Sequence, residues 1–154
     1  MEKPLSKLFE EARSTCVEWQ GQQIWGLYEI SAPSELSVEI FRSKPSPVQG
    51  LCLKAYGGVL SINDIEAQSM LIWTDTAPES VTVRFKSDES RDARLKIWNV
   101  WRGKVGGVDV TQAWLGNAGM IVEAPANGKE LLLRCSDGEG SVEFSDMNAR
   151  VIIA

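Results

Sequence analysis

The stretch Ala93–Leu115, ARLKIWNVWRGKVGGVDVTQAWL, decides the fold. Its first ten residues alternate. Leu95, Ile97, Asn99 and Trp101 fall on one side, and Lys96, Trp98, Val100 and Arg102 on the other. A period of two sustained this long marks a β-strand with one face turned to a core. Leu95 and Ile97 identify the inner face, so Trp101 is expected to be a buried anchor that needs a partner for its indole N–H. Gly103–Gly107 reads as a glycine-rich turn, and Val108–Leu115 as the returning strand. If the two strands pair regularly, Trp98 and Trp114 share a face with Gln112 and Arg102.

The same period recurs on either side. Leu36, Val38 and Ile40 alternate with Ser37 and Glu39, and Val81, Val83 and Phe85 with Thr82, Arg84 and Lys86. Further strands are expected over Gln22–Ile30, Leu51–Tyr56, Val59–Ile62, Ile65–Trp73, Met120–Glu123, Leu131–Cys135, Val142–Ser145 and Arg150–Ile153. Gly57-Gly58 and Asn127-Gly128 read as hairpin turns, Lys44-Pro45-Ser46-Pro47 as a loop and Ser87–Asp92 as a charged connection. That makes about ten or eleven strands at roughly ten-residue spacing, the pattern of a sandwich or barrel. Before them, Leu5, Leu8, Phe9, Ala12, Cys16 and Trp19 recur at spacings of three and four behind Pro4. This predicts an amphipathic helix over residues 4–19 that covers one end or edge of the domain. No linker divides the strands, so 1–154 is expected to be a single all-β domain, an antiparallel jelly-roll-like sandwich with an N-terminal amphipathic helix.

Composition narrows the function. The net charge of −5 argues against nucleic acid as a partner, because its phosphates need a basic surface. No run is long and apolar enough for a membrane span, and Met1-Glu2-Lys3-Pro4 opens no signal peptide, so a cytoplasmic protein is expected. Cys16, Cys52 and Cys135 are odd in number and far apart, as reduced core residues rather than a disulfide framework or zinc site. The chain has no His, which excludes Ser-His-Asp and Cys-His nucleophiles and His-ligated metal sites. Glu123 lies near the tryptophans, but no second carboxylate pairs with it for glycoside hydrolysis. Asp75, Asp137, Glu139 and Asp146 match no calcium-loop spacing and read as solvated turn residues. No catalytic residue, cofactor or metal is expected.

What remains is recognition. Six Trp, with Trp98, Trp101 and Trp114 close together in the chain, suit a stacking surface for a carbohydrate or small polar ligand. Trp98 and Trp114 supply the platform, and Gln112, Arg102 and Asn117 the polar contacts. In the alternative, the helix stripe ending at Trp19, with Ile24 and Trp25 beyond it, buries against a second copy in a homodimer. Finally, Gly140–Val151, GSVEFSDMNARV, with the core run Leu131–Cys135 before it, resembles the closing strands of jelly-roll carbohydrate-binding modules. That resemblance implies a β-sandwich in which aromatics on a concave face or loops bind glycans.

Overall fold

The computed structural model describes residues 3–88, 92–125 and 127–154, so half of the Ser87–Asp92 connection lies outside the described residues. The elements run α1 (Leu5–Ala12), β1 (Cys16–Trp19), β2 (Gln22–Trp25), β3 (Tyr28–Ser31), β4 (Glu35–Ser43), β5 (Gln49–Tyr56), β6 (Gly58–Ile62) and β7 (Ile65–Ala67). They continue with β8 (Ser69–Trp73), β9 (Ser80–Ser87), β10 (Arg94–Val105), β11 (Val108–Gln112), β12 (Gly119–Glu123), β13 (Glu130–Ser136) and β14 (Met147–Ile153). Two antiparallel sheets pack together. The larger has the order β1-β2-β12-β13-β14-β4-β9-β6-β7, and the smaller β11-β10-β5-β8, with β3 pairing β10 beside β11. The expected all-β, jelly-roll-like sandwich with an N-terminal helix is the fold found.

The core follows from the alternation. On β10, Leu95, Ile97, Asn99 and Trp101 stand opposite Ala55, Leu53, Leu51 and Gln49 of β5, and all eight are buried. They face Leu36, Val38, Val83, Leu133, Ala149 and Val151 of the larger sheet. Each large aliphatic side chain removed from water in this way contributes about 1.5–3 kcal/mol, less the entropy of ordering it.

The helix is shorter than the stripe predicts. It ends at Ala12, where Arg13 turns into the left-handed region at φ 50°. Cys16–Trp19 is a strand paired with Gln22–Trp25 through Gln20 and Gly21, both at positive φ. Ser14, Thr15 and Val17 are weak helix formers, and a two-residue turn of positive φ joins antiparallel strands. Ile24 is fully buried and Leu5 packs under the end of the sandwich, so the helix covers its own domain.

Three further expectations change. Gln22–Ile30 and Ile65–Trp73 are each broken in two, with the halves joining different sheets. Gly57-Gly58 is a crossing between sheets, since β5 belongs to the smaller and β6 to the larger. Val142–Ser145 is turn rather than strand.

Candidate functional site

The outward side of the smaller sheet is where a soluble sandwich normally shows polar residues. Here it carries rings. Trp98 on β10 stands opposite Cys52 on β5, which stands opposite Leu71 on β8. In the next row Val100 faces Gly50, and Gly50 faces Trp73. A Cβ on Gly50 would come within 2.6 Å of the Trp73 ring, so glycine there is what lets the indole lie against the strand. Cys52 and Val100 are buried although they point away from the core, because these side chains cover them.

Trp114 completes the face by a different route from the one its spacing suggests. β11 ends at Gln112, and Trp114 lies beyond the strand at φ 59°, in the left-handed region. Its ring folds back onto Trp98, with centroids 5.0 Å apart and planes tilted by 34°. Its indole N–H donates to the Gly26 carbonyl at 2.7 Å. Trp114 remains 50% exposed, while Trp98 is half-buried beneath it. Arg102 covers Trp73 in the same manner, its guanidinium 4.5 Å from the ring centroid, and donates to Asp75 at 2.6 Å.

Thus Trp98, Trp114 and Arg102 share the outer face, as expected, but Gln112 does not. Gly106 and Gly107, both at positive φ, form a two-residue turn that pairs Val105 with Val108. This register sets Gln112 opposite Trp101 on the inward side, its amide over Gly103, and leaves Thr111 opposite Arg102. Asn117 is also elsewhere. Its Oδ1 accepts from Leu5 N at 3.2 Å and its Nδ2 donates to the Gly140 carbonyl at 2.9 Å, so it ties α1 to a loop. Trp73, Leu71 and Gly50 are the members that sequence spacing misses. The break between β7 and β8 changes which residues of that segment point outwards, and no local signal marks it.

A second feature overturns an expectation. Asp137 and Asp146, read as solvated, are 0% and 4% exposed. The segment between them folds back over Trp101, and a Cβ on Gly138 would run into that ring. Asp137 accepts from Lys44 Nζ and Gln49 Nε2, both at 2.8 Å, and from Glu139 N at 2.9 Å. Lys44 also reaches Asp146 at 3.4 Å, and Asp146 accepts from Asp137 N at 3.0 Å. The Lys44 ammonium therefore sits between two buried carboxylates, and the network pins the loop. Gln49 Oε1 and Trp101 Nε1, on cross-strand neighbours, have no hydrogen-bond partner among the described residues.

Burial alone pulls the Lys44 ammonium down, but hydrogen bonding and the charges of Asp137 and Asp146 outweigh it and hold it above the ordinary lysine value. Burial, opposed in part by the Asp137 N–H and Lys44, leaves Asp146 above the usual carboxylate range. A raised lysine stabilises the fold fully below its unfolded value, about 10.4, and that contribution disappears as pH rises through the folded value. Thermal melts from neutral pH into the alkaline range are therefore expected to show a loss for the wild type that is smaller in Lys44→Met. Parallel losses in the two proteins would remove Lys44 as the cause. Asp146, also raised, acts in the same direction at lower pH, because protonating it as pH falls through its raised value relieves a cost that returns as pH rises.

On the aromatic face, burial pushes the Cys52 thiol up to about 11, with nearby Lys54 opposing, so it is uncharged at neutral pH. No family model matches the chain, and no curated protein shows detectable similarity to it. Fold and face together define a β-sandwich that presents an aromatic, cation-flanked sheet surface.

Proposed function

We propose that the protein is a non-enzymatic binding module whose ligand, a carbohydrate or another small polar molecule, stacks on the outer face of the smaller sheet. One observation carries this reading. Trp114 is held from behind by Trp98 and fixed at its edge by Gly26, yet half of it faces water. A rigid, half-exposed ring costs little entropy to engage, and ring-to-ring stacking is the usual way an indole meets a sugar or other flat ligand. Trp73 under Arg102 extends the same surface, and the Arg102 donors not used by Asp75 point to polar groups on the ligand. The three free cysteines favour a reducing, cytoplasmic compartment. Among the described residues no helix is long and apolar enough to cross a membrane.

The test is a glycan array followed by fluorescence titration of the glycans it returns. Trp114→Ala is expected to weaken binding more than tenfold, as loss of an aromatic hot spot of about 2 kcal/mol does. Stability should change by about 1 kcal/mol or less, since the ring lies largely outside the core. An array without binders, or a variant that binds like the wild type, would end this reading.

A second reading rests on the edge of the same sheet. β11 is an edge strand in the described structure, and Val105, Val108 and Val110 on its hairpin are exposed. Such an edge can pair with a second copy unless it is guarded. Light scattering that shows a monomer at every concentration would remove it.

A further inference from the structure

The outward side of β10 reads Arg94, Lys96, Trp98, Val100, Arg102, Lys104. Two cations stand on each side of an apolar centre, in a protein of net charge −5. Some of this charge is neutralised, since Arg94 bonds Glu29 at 2.9 Å and Arg102 bonds Asp75 at 2.6 Å. Lys96 is different. Its direct neighbour on β5 is Lys54, on the same face and in register. Among the described residues neither lysine forms an ion pair, and Lys96 Nζ lies 5.6 Å over the Tyr56 ring. Glu29, opposite Lys96 on β3, is committed to Arg94. Like charges placed directly across two strands repel each other, and among the described residues no ion pair of either lysine offsets this.

We infer that the ligand of the aromatic face is an acidic saccharide, with a carboxylate lying between Lys54 and Lys96 while a ring of the same ligand stacks on Trp114. This rests on the binding reading above. The dimensions suit an oligomer. Two residues, about 7 Å of strand, separate Lys96 from Trp98, and six, about 20 Å, separate it from Arg102. A short acidic saccharide fits better than a nucleic acid. A nucleic acid needs an extended basic surface, whereas among the described residues of this face only Lys54, Lys96 and Lys104 stand outside ion pairs, on a protein of net charge −5.

The test titrates the intact protein with tetragalacturonate, its fully methyl-esterified form and an oligothymidylate, followed by tryptophan fluorescence. The acid is expected to bind about three- to tenfold more tightly than the ester, as two exposed ion pairs would give. The advantage should vanish between about 0.1 M and about 1 M salt, as the Debye length falls from about 10 Å to about 3 Å. It should also vanish in the Lys54→Met/Lys96→Met double variant, which is expected to bind acid and ester equally. Equal binding of acid and ester overturns this inference and leaves the aromatic reading standing. If neither saccharide binds, this inference falls, and the glycan array decides the aromatic reading. If the oligothymidylate binds more tightly than the acid, the ligand class assigned here is wrong.

Discussion

Trp101→Ala is expected to destabilise the protein by about 3–5 kcal/mol, the range for truncating a large buried aromatic to leave a cavity. Trp101 is 0% exposed, stands between Gln49 and Gln112 on its two neighbouring strands, and carries the Gly138 loop against its ring. Domains of this size have roughly 5–15 kcal/mol in all, so the variant is expected to be marginal or unfolded. Trp98→Ala removes a half-buried ring from the outside of the sheet and should cost clearly less. Urea melts of the two variants make the comparison. Equal losses would mean that Trp98 is as much a core residue as Trp101.

The second large effect belongs to the buried ionic network. Asp137→Ala removes the acceptor shared by Lys44 Nζ, Gln49 Nε2 and Glu139 N. The Gln49 amide is left with only the Pro47 carbonyl, and the segment before Asp146 loses one of its ties, keeping that of Glu143 N to Ser136 Oγ. Breaking a buried pair by removing one partner typically costs 3–5 kcal/mol, and about 3 kcal/mol is expected here because Lys44 keeps Asp146 and some access to water. Chemical denaturation measures the loss, and hydrogen exchange should show the amides of residues 138–145 opening first. A loss below about 1 kcal/mol would mean that the network is dispensable. Trp101 and this loop share the Gly138 contact, so the two substitutions are not expected to be additive.

The strand period was legible wherever a strand is long and has one buried face. Arg94–Val105 and Glu35–Ser43 show their inner residues by alternation alone, and Trp101 was placed in the core by parity with Leu95 and Ile97. Register was legible only in part. The Gly106-Gly107 turn fixes it, and its consequence is that Gln112 faces inwards. Where the chain changes sheet within a few residues, as at Gly26 and Gln68, both halves keep an apolar character and nothing local announces the crossing. Trp73 and Leu71 were missed on the face for that reason. Trp114 reached its predicted neighbour Trp98 through a left-handed backbone rather than a strand. Asp137 and Asp146 looked like turn residues because turns and buried ion pairs use the same residue types. Their partner Lys44 lies far away in the chain and meets them only through tertiary structure.

The most direct test of the recognition surface follows the indole N–H resonances of the six tryptophans during titration with tetragalacturonate and, separately, cellotetraose. Binding on the outer face of the smaller sheet predicts that Trp114, Trp98 and Trp73 shift together along one saturation curve. Trp101, sealed behind the sheet, and Trp19, packed edge-on against Phe144, should stay in place. Shifts confined to Trp19 or Trp101, or no shift with either saccharide, would contradict the assignment of this face as the binding surface.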